Sequence, residues 1–314
     1  MKNYTFDFYN AANLKAYNLN DTMRYQLAIL DRMDPITKKH SESVANLVCR
    51  ICEYLGFNWQ VTIHSTMNAY LHDVGKLAIP QEILNKPGKL TDEEYEIMKT
   101  HTTKGYEICM KDIKLRPYAE AALYHHEALN GTGYPNGVTK RDIPYIAQIV
   151  RVADEYDAIT SKRQYKTHID ISETLKILIK EARPEEHIKL VALDHLNTDR
   201  KLGKINSRIL KILFKVVIDD VIYEIACIDE YMDYLKSEIK RLETINKYFE
   251  KMENSKKDKD KEYFLEGIKL MLSQGETIEN FKEILKEYND ALNSKKESVD
   301  KLYKEIKIIK KLKV

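Results

Sequence analysis

The chain has 314 residues, enough for about two domains of ordinary size. Hydrophobic residues make up 43% and charged residues 32%, so a core can be buried and a wholly disordered chain is excluded. Ten glycines and seven prolines are too few for a collagen-like or turn-rich all-β architecture, and a net charge of +2 gives no global attraction to nucleic acid or to an anionic membrane.

The first residues, Met1 to Asp7, lack the apolar run of a signal peptide. Residues 21–33 carry a helical period through Leu27, Leu30 and Met33, which Asp34-Pro35 breaks. A second helix is expected from near Thr37 to Gly56, with Val44, Leu47, Val48, Ile51 and Leu55 inward. Cys49 and Cys52 form a C-x-x-C on that apolar stretch. No second pair follows, so they read as core thiols ahead of a zinc or redox pair.

Further helices are expected at 60–73, 92–110, 118–126, 143–160 and 171–181. Thr91 and Glu94 are spaced as a capping box. No convincing period-2 strand appears, so the first two-thirds read as all-α. One loop interrupts this helical setting: residues 130–137 hold three of the ten glycines. Such a loop needs backbone angles that ordinary residues resist, and an irregular loop so placed is more often functional than decorative. A last helix of this part is expected near 205–217, after the stretch 183–202, whose role the sequence does not announce.

From about Val217 the character changes. Apolar positions fall at Val221, Ile225, Ile228, Met232, Leu235, Ile239, Leu242 and Phe249, with Asn246 on the stripe. A charged break at 256–261 precedes a short helix with Phe264, Ile268 and Met271. A second heptad run follows from Ile278 to Ile309, with Lys295 on its seam. Sustained a/d spacing points to coiled-coil-like helices. Two readings stay open: an antiparallel hairpin within one chain, or pairing with a second protomer. The most apolar long stretch, 209–228, is interrupted by Lys211, Lys215, Asp219, Asp220 and Glu224, so it cannot cross a bilayer cheaply. The expectation is a cytoplasmic protein.

The chemistry-bearing residues cluster by type. His72 is followed by Asp73, and His125 by His126, beside the glycine loop. His40, His101 and Asp154 lie on other expected helices. Imidazole and carboxylate together suit iron, manganese, zinc and similar metals. In His72-Asp73-Val74-Gly75-Lys76 one helical turn brings Lys76 towards Asp73. A lysine beside cations makes sense where it holds a phosphate oxygen. Arg163 and Lys166, after the Asp154 helix, are suited to clamping a second phosphate.

His72-Asp73-Val74-Gly75-Lys76 resembles the HD-x-G-K signature. His125-His126-Glu127 with Gly133-Tyr134-Pro135 resembles the HHE…GYP signature. Together they resemble the HD-GYP family, bacterial phosphodiesterases acting on cyclic di-GMP, over roughly residues 21–216. The resemblance implies an HD-GYP helical bundle, and with the heptad spacing of the tail the expected fold is all-α, that bundle followed by a C-terminal coiled-coil-like helical region. It implies metal ligands at His40, His72, Asp73, His101, His125, His126 and Asp154, with Asp73 bridging. One metal would take His40, His72 and Asp154, the other His101, His125 and His126. Asp73 and Lys76 would be catalytic, Lys76 contacting the scissile phosphate. Tyr134, Arg163 and Lys166 would hold the dinucleotide.

Some family members carry a glutamate four residues before the first ligand histidine, which adds a third metal. Ile36 stands there, so two divalent ions are implied, iron or manganese. Ser43 and Lys140 also depart from the family pattern, outside the ligand set. The domain reading is a lead segment 1–20, the phosphohydrolase domain 21–216 and the tail 217–314. The expected activity is hydrolysis of cyclic di-GMP to linear pGpG, with further cleavage to GMP as an extension. The expected partners are that substrate and a second copy of the chain joined through the tail, with no DNA or RNA polymer and no membrane. The alternatives are a cyclic-dinucleotide receptor signalling through its tail, or a hydrolase of cyclic GMP-AMP.

Overall fold

A computed structural model describes residues 28–161, 171–184 and 202–314. The lead segment 1–20, most of the stretch 183–202, and Arg163 and Lys166 lie outside the described residues. Among those described there is no strand. A single isolated bridge, Asn130 to Thr139, closes the glycine loop. No described helix is long and apolar enough to cross a membrane.

The described chain divides into two compact units, with the change at Val217 to Ile218. In the first, α1 (Pro35–Tyr54) starts where Asp34 accepts a hydrogen bond from the Thr37 amide and Pro35 presets the first turn. It stops at Gly56, whose φ of 75° is left-handed and suits glycine. Helix α2 (Trp59–Leu71) is capped by Asn58, which accepts from the Val61 amide. A 3-10 turn at Val74–Ala78 follows. Then come α3 (Gln81–Leu84), α4 (Asp92–Lys99), α5 (His101–Lys111), α6 (Ala119–Tyr124), α7 (Tyr145–Ser161) and α8 (Ile171–Ala182). The region 21–33, expected as α-helix, contains a short 3-10 helix, Ala28–Arg32, in its described part.

Helix α1 packs on α2 and α7, while α5 packs on α6 and on the 3-10 turn after α2. The apolar stripe of α2 supplies Ile63, Met67 and Leu71 to a cluster with Val74, Cys109, Leu115 and Tyr118. Truncating one such buried aliphatic side chain costs about 2–5 kcal/mol. Cys49 and Cys52 are fully buried on α1 as core thiols, and burial pushes them up to about 12 and about 11. A buried thiol held protonated is a poor ligand and a poor nucleophile.

The helix expected over 92–110 is two helices. The Thr100 hydroxyl donates to the Ile97 carbonyl at 2.6 Å, and Thr102 and Thr103 bond back in the same way. Those carbonyls lie three residues back, a local alternative to the regular ladder. The break makes His101 the first residue of α5.

Helix α9 (Ser207–Asn254) is one unbroken helix of 48 residues whose first turns belong to the first unit and the rest to the second, so the expected last domain helix and the first tail helix are the same element. Within the second unit, α10 (Asp258–Met271) and α11 (Phe281–Ile309) follow. Leu242, Ile245, Ile268 and Phe281 form its buried cluster. Ile245 is fully buried, whereas Asn246 turns aside and donates to Glu250 at 2.8 Å. The stripe therefore runs through Ile245, because straight helices drift from a strict seven-residue repeat. Phe249 meets Phe281 at 5.6 Å, and Tyr234, earlier on α9, faces Tyr288, later on α11. That pairing order makes α9 and α11 antiparallel. Arg241 ties the turn, bonding Glu238, Glu276 and the Met271 carbonyl.

Candidate metal centre

Five segments deliver one side-chain cluster. His40 lies on α1, His72 and Asp73 at the end of α2, His101 at the start of α5, His125 and His126 just after α6, and Asp154 on α7. Gly75 permits the convergence. A Cβ there would sit 1.8 Å from the His101 carbonyl oxygen and 2.5 Å from the Gly105 nitrogen.

Asp73 is central and almost wholly buried. Its Oδ2 lies 3.4 Å from His72 Nε2 and 3.8 Å from His40 Nε2. Its Oδ1 lies 3.4 Å from His101 Nε2 and 3.9 Å from His125 Nε2. Each oxygen thus faces a different group of imidazoles. His40, His72 and Asp73 form one group of mutually close donor atoms, and His101, His125 and His126 form another. Asp154 joins the first, 3.0 Å from His40 Nε2.

The outer ring nitrogens fix the imidazoles. His72 Nδ1 lies 2.6 Å from the Ala69 carbonyl and His101 Nδ1 lies 2.7 Å from the Met98 carbonyl. His125 Nδ1 lies 3.0 Å from the carbonyls of both Ala121 and Ala122. A carbonyl only accepts, so these Nδ1 atoms carry the protons and the Nε2 lone pairs face inward. This is the outer support that metal-ligating histidines generally have.

The donors fit divalent cations on two further observations. His72 Nε2 is buried and makes no hydrogen bond. His101 Nε2 and His125 Nε2 stand 3.2 Å apart, each with a lone pair towards the other. Burial holds His72 and His101 below the usual histidine range, His125 well below it, and His126 at about 3. These rings are neutral and ready to donate to a metal. His40 differs. Burial opposes its charge, but hydrogen bonds to Asp154 and Asp157 raise it to about 10. Burial also opposes the Asp73 charge, yet Lys76 and the histidines hold it well below the carboxylate range. Lys76 Nζ donates to Asp73 Oδ2 at 2.5 Å.

Tyr134 stacks on His126, centroids 4.7 Å apart, and its amide donates to the His126 carbonyl at 3.2 Å. Gly133 lets this loop lie close, since a Cβ there would fall 2.2 Å from the Ala128 nitrogen. Arg163 and Lys166 are not among the described residues, so their placement enters only as a proposal.

Two residues without an assigned role in the sequence reading also serve the site. Asp157 holds His40 Nδ1 at 2.7 Å. Its spacing of three from Asp154 on one helix face was the available signal. Glu127 accepts from the amides of Asn136, Gly137 and Val138, pinning the glycine loop. A buried acid next to a glycine loop could have been read as its anchor.

The HD domain profile matches residues 24–187. The chain belongs to the HD domain family. Its HD and GYP motifs resemble those of the HD-GYP type. Proteins of this family use divalent metals, and the two donor groups suit that chemistry. This HD domain chain is 44% identical over 145 residues to a cyclic di-GMP phosphodiesterase of Thermotoga maritima, covering 46% of the chain and 39% of the relative. It is 35% identical over 151 residues to a cyclic di-GMP phosphodiesterase of Pseudomonas aeruginosa, covering 48% and 36%. It is 36% identical over 150 residues to a 3'3'-cGAMP-specific phosphodiesterase of Vibrio cholerae, covering 48% and 33%. The match therefore spans less than two-fifths of the length of each of these relatives.

Proposed function

We propose that the chain is a metal-dependent phosphodiesterase that opens cyclic di-GMP to linear pGpG, the turnover products showing whether cleavage continues to GMP. The observation that carries this is the division of Asp73, one oxygen towards each imidazole group. A carboxylate so placed suits a bridge between two ions. The names of the Thermotoga and Pseudomonas relatives support the substrate.

In this reading His40, His72 and Asp154 hold one ion, His101, His125 and His126 the other, and Asp73 both. The mixed nitrogen and oxygen donors suit iron or manganese. Two ions are proposed because Ile36 cannot ligate and is 78% exposed. Bound there, such ions supply a strongly nucleophilic water near neutral pH and polarise the phosphoryl oxygens.

The chain's own groups do the rest. Lys76 sits beside Asp73 with its charge secured, since the nearby carboxylates outweigh the opposing burial. Its ammonium stabilises negative charge as it builds on a phosphoryl oxygen. Tyr134 lines the approach beside His126. Arg163 and Lys166 position the second phosphate, so their loss affects binding more than chemistry. The catalytic domain is assigned to 21–216 and the tail to 217–314. Homodimerisation through the tail belongs to the same reading. It is supported by Tyr231 and Tyr234, exposed on α9 with stacked rings 6.2 Å apart. A monomeric mass at micromolar concentration overturns that part.

The test is metal analysis paired with cyclic di-GMP turnover on one anaerobically prepared sample. Asp73→Ala is expected to lose metal and activity together. Retained turnover in that variant overturns the assignment of the site. A panel including 3'3'-cGAMP tests the second substrate reading, which the Vibrio relative favours.

A further inference from the structure

Helix α4 presents Tyr95 and Lys99 beside the GYP loop, and neither has a role in the proposed hydrolysis. The two are four residues apart and share one helix face. Lys99 Nζ lies 5.0 Å from the Tyr95 ring centroid and 5.6 Å from that of Tyr134, so one ammonium touches both rings. Tyr134 in turn stacks on His126. The sequence of contacts runs from a candidate ligand imidazole, through the loop tyrosine and the lysine, to Tyr95.

The platform is held in place. Thr91 and Glu94 form a complete capping box at the start of α4, and Lys86 bonds both oxygens of Glu94. Two residues past Lys99 is His101, whose position is fixed by Met98 and Asp73. Tyr95 is nevertheless 46% exposed, so part of its ring is open to an incoming ligand. Lys99 keeps one donor on Glu96 at 2.6 Å and has two more to offer.

We propose that Tyr95 is a stacking platform for a nucleobase of the substrate and that Lys99 selects guanine at that position. This rests on the reading of the adjoining cluster as a nucleotide-hydrolysing centre. An aromatic face next to a phosphate-handling site is the general means of holding a base. Guanine presents two acceptors, O6 and N7, on one edge, which an ammonium matches. Adenine places an amine donor there, which an ammonium repels.

The experiment separates base recognition from turnover. The full chain is titrated calorimetrically with GMP, AMP and ribose 5-phosphate. The expected result is GMP binding at least about tenfold tighter than ribose 5-phosphate. Tyr95→Ala abolishes that advantage and Tyr95→Phe keeps it, which a general packing role for the ring would not produce. Lys99→Ala brings GMP and AMP to equal affinity. The proposal is overturned if GMP and ribose 5-phosphate bind alike, or if the advantage survives in Tyr95→Ala. The Lys99 assignment is overturned if the preference for GMP over AMP is absent in the parent chain or persists in Lys99→Ala. Failure of the hydrolase reading is seen separately, as no turnover of any cyclic dinucleotide by the metal-loaded protein.

Discussion

Asp157 meets Nδ1 of His40 at 2.7 Å and leaves the opposite nitrogen aimed at Asp154 and Asp73. The carboxylate orients the ring from behind. Removing such a support typically weakens metal binding by about 10–100-fold. Asp157→Ala is expected to lose affinity in that range with its helical content intact. Asp157→Asn, which still offers an acceptor, should lose less. Competition with a chelator of known affinity measures both. Equal affinity in all three proteins would remove Asp157 from the site.

Metal removal should lower stability. The buried, unbonded His72 Nε2 and the facing nitrogens of His101 and His125 are costly to keep without a cation. A ligand at about a thousand times its dissociation constant adds about 4 kcal/mol. Chelation should therefore lower the unfolding temperature, and restored manganese should recover it. Asp73→Ala should show neither response.

Gly75 is a packing requirement. With the His101 carbonyl only 1.8 Å from where a Cβ would sit, the backbone must shift to admit a methyl group. Gly75→Ala is expected to cost about 1–3 kcal/mol or more, read by urea unfolding. Gly88 has open space around it despite its φ of 113°, so Gly88→Ala tests strain alone.

The tail should be acid-sensitive through Glu276. The Arg241 hydrogen bond holds this carboxyl below its ordinary value of 4.5. Its folded value is depressed, so below 4.5 the unfolded state takes up protons first. The stabilisation is present above that pH and is lost as pH falls through the folded value. Far-UV circular dichroism of thermal unfolding between about pH 6 and about pH 3 should show a steeper decline in the parent than in Glu276→Gln. Parallel declines would show that Arg241 and Glu276 do not set the acid limit.

Much of the fold was legible because helix signals are local. Asp34-Pro35, Asn58, Thr91 with Glu94, and Gly56 mark their helix ends in one or two residues. The break at Thr100 was less visible, since it depends on a hydroxyl choosing a carbonyl three residues back. The shift from Asn246 to Ile245 was hidden for a different reason: a straight helix drifts from a strict seven-residue repeat, so the stripe leaves the heptad written in the sequence. At the site, residue types and order announced a metal cluster. The individual oxygens of Asp73, and the supporting places of Asp157 and Glu127, depend on contacts between segments distant in sequence. No local pattern encodes them.

The residue after the histidine pair is what braces the glycine loop. Glu127 grips three successive amides of that loop, while Tyr134 bonds back to the carbonyl of His126 and covers its ring. Loop and imidazole are thus tied to each other at both ends. The braced stretch runs through residues 126–138, so a change at Glu127 is expected to displace Tyr134 and the His126 ring together.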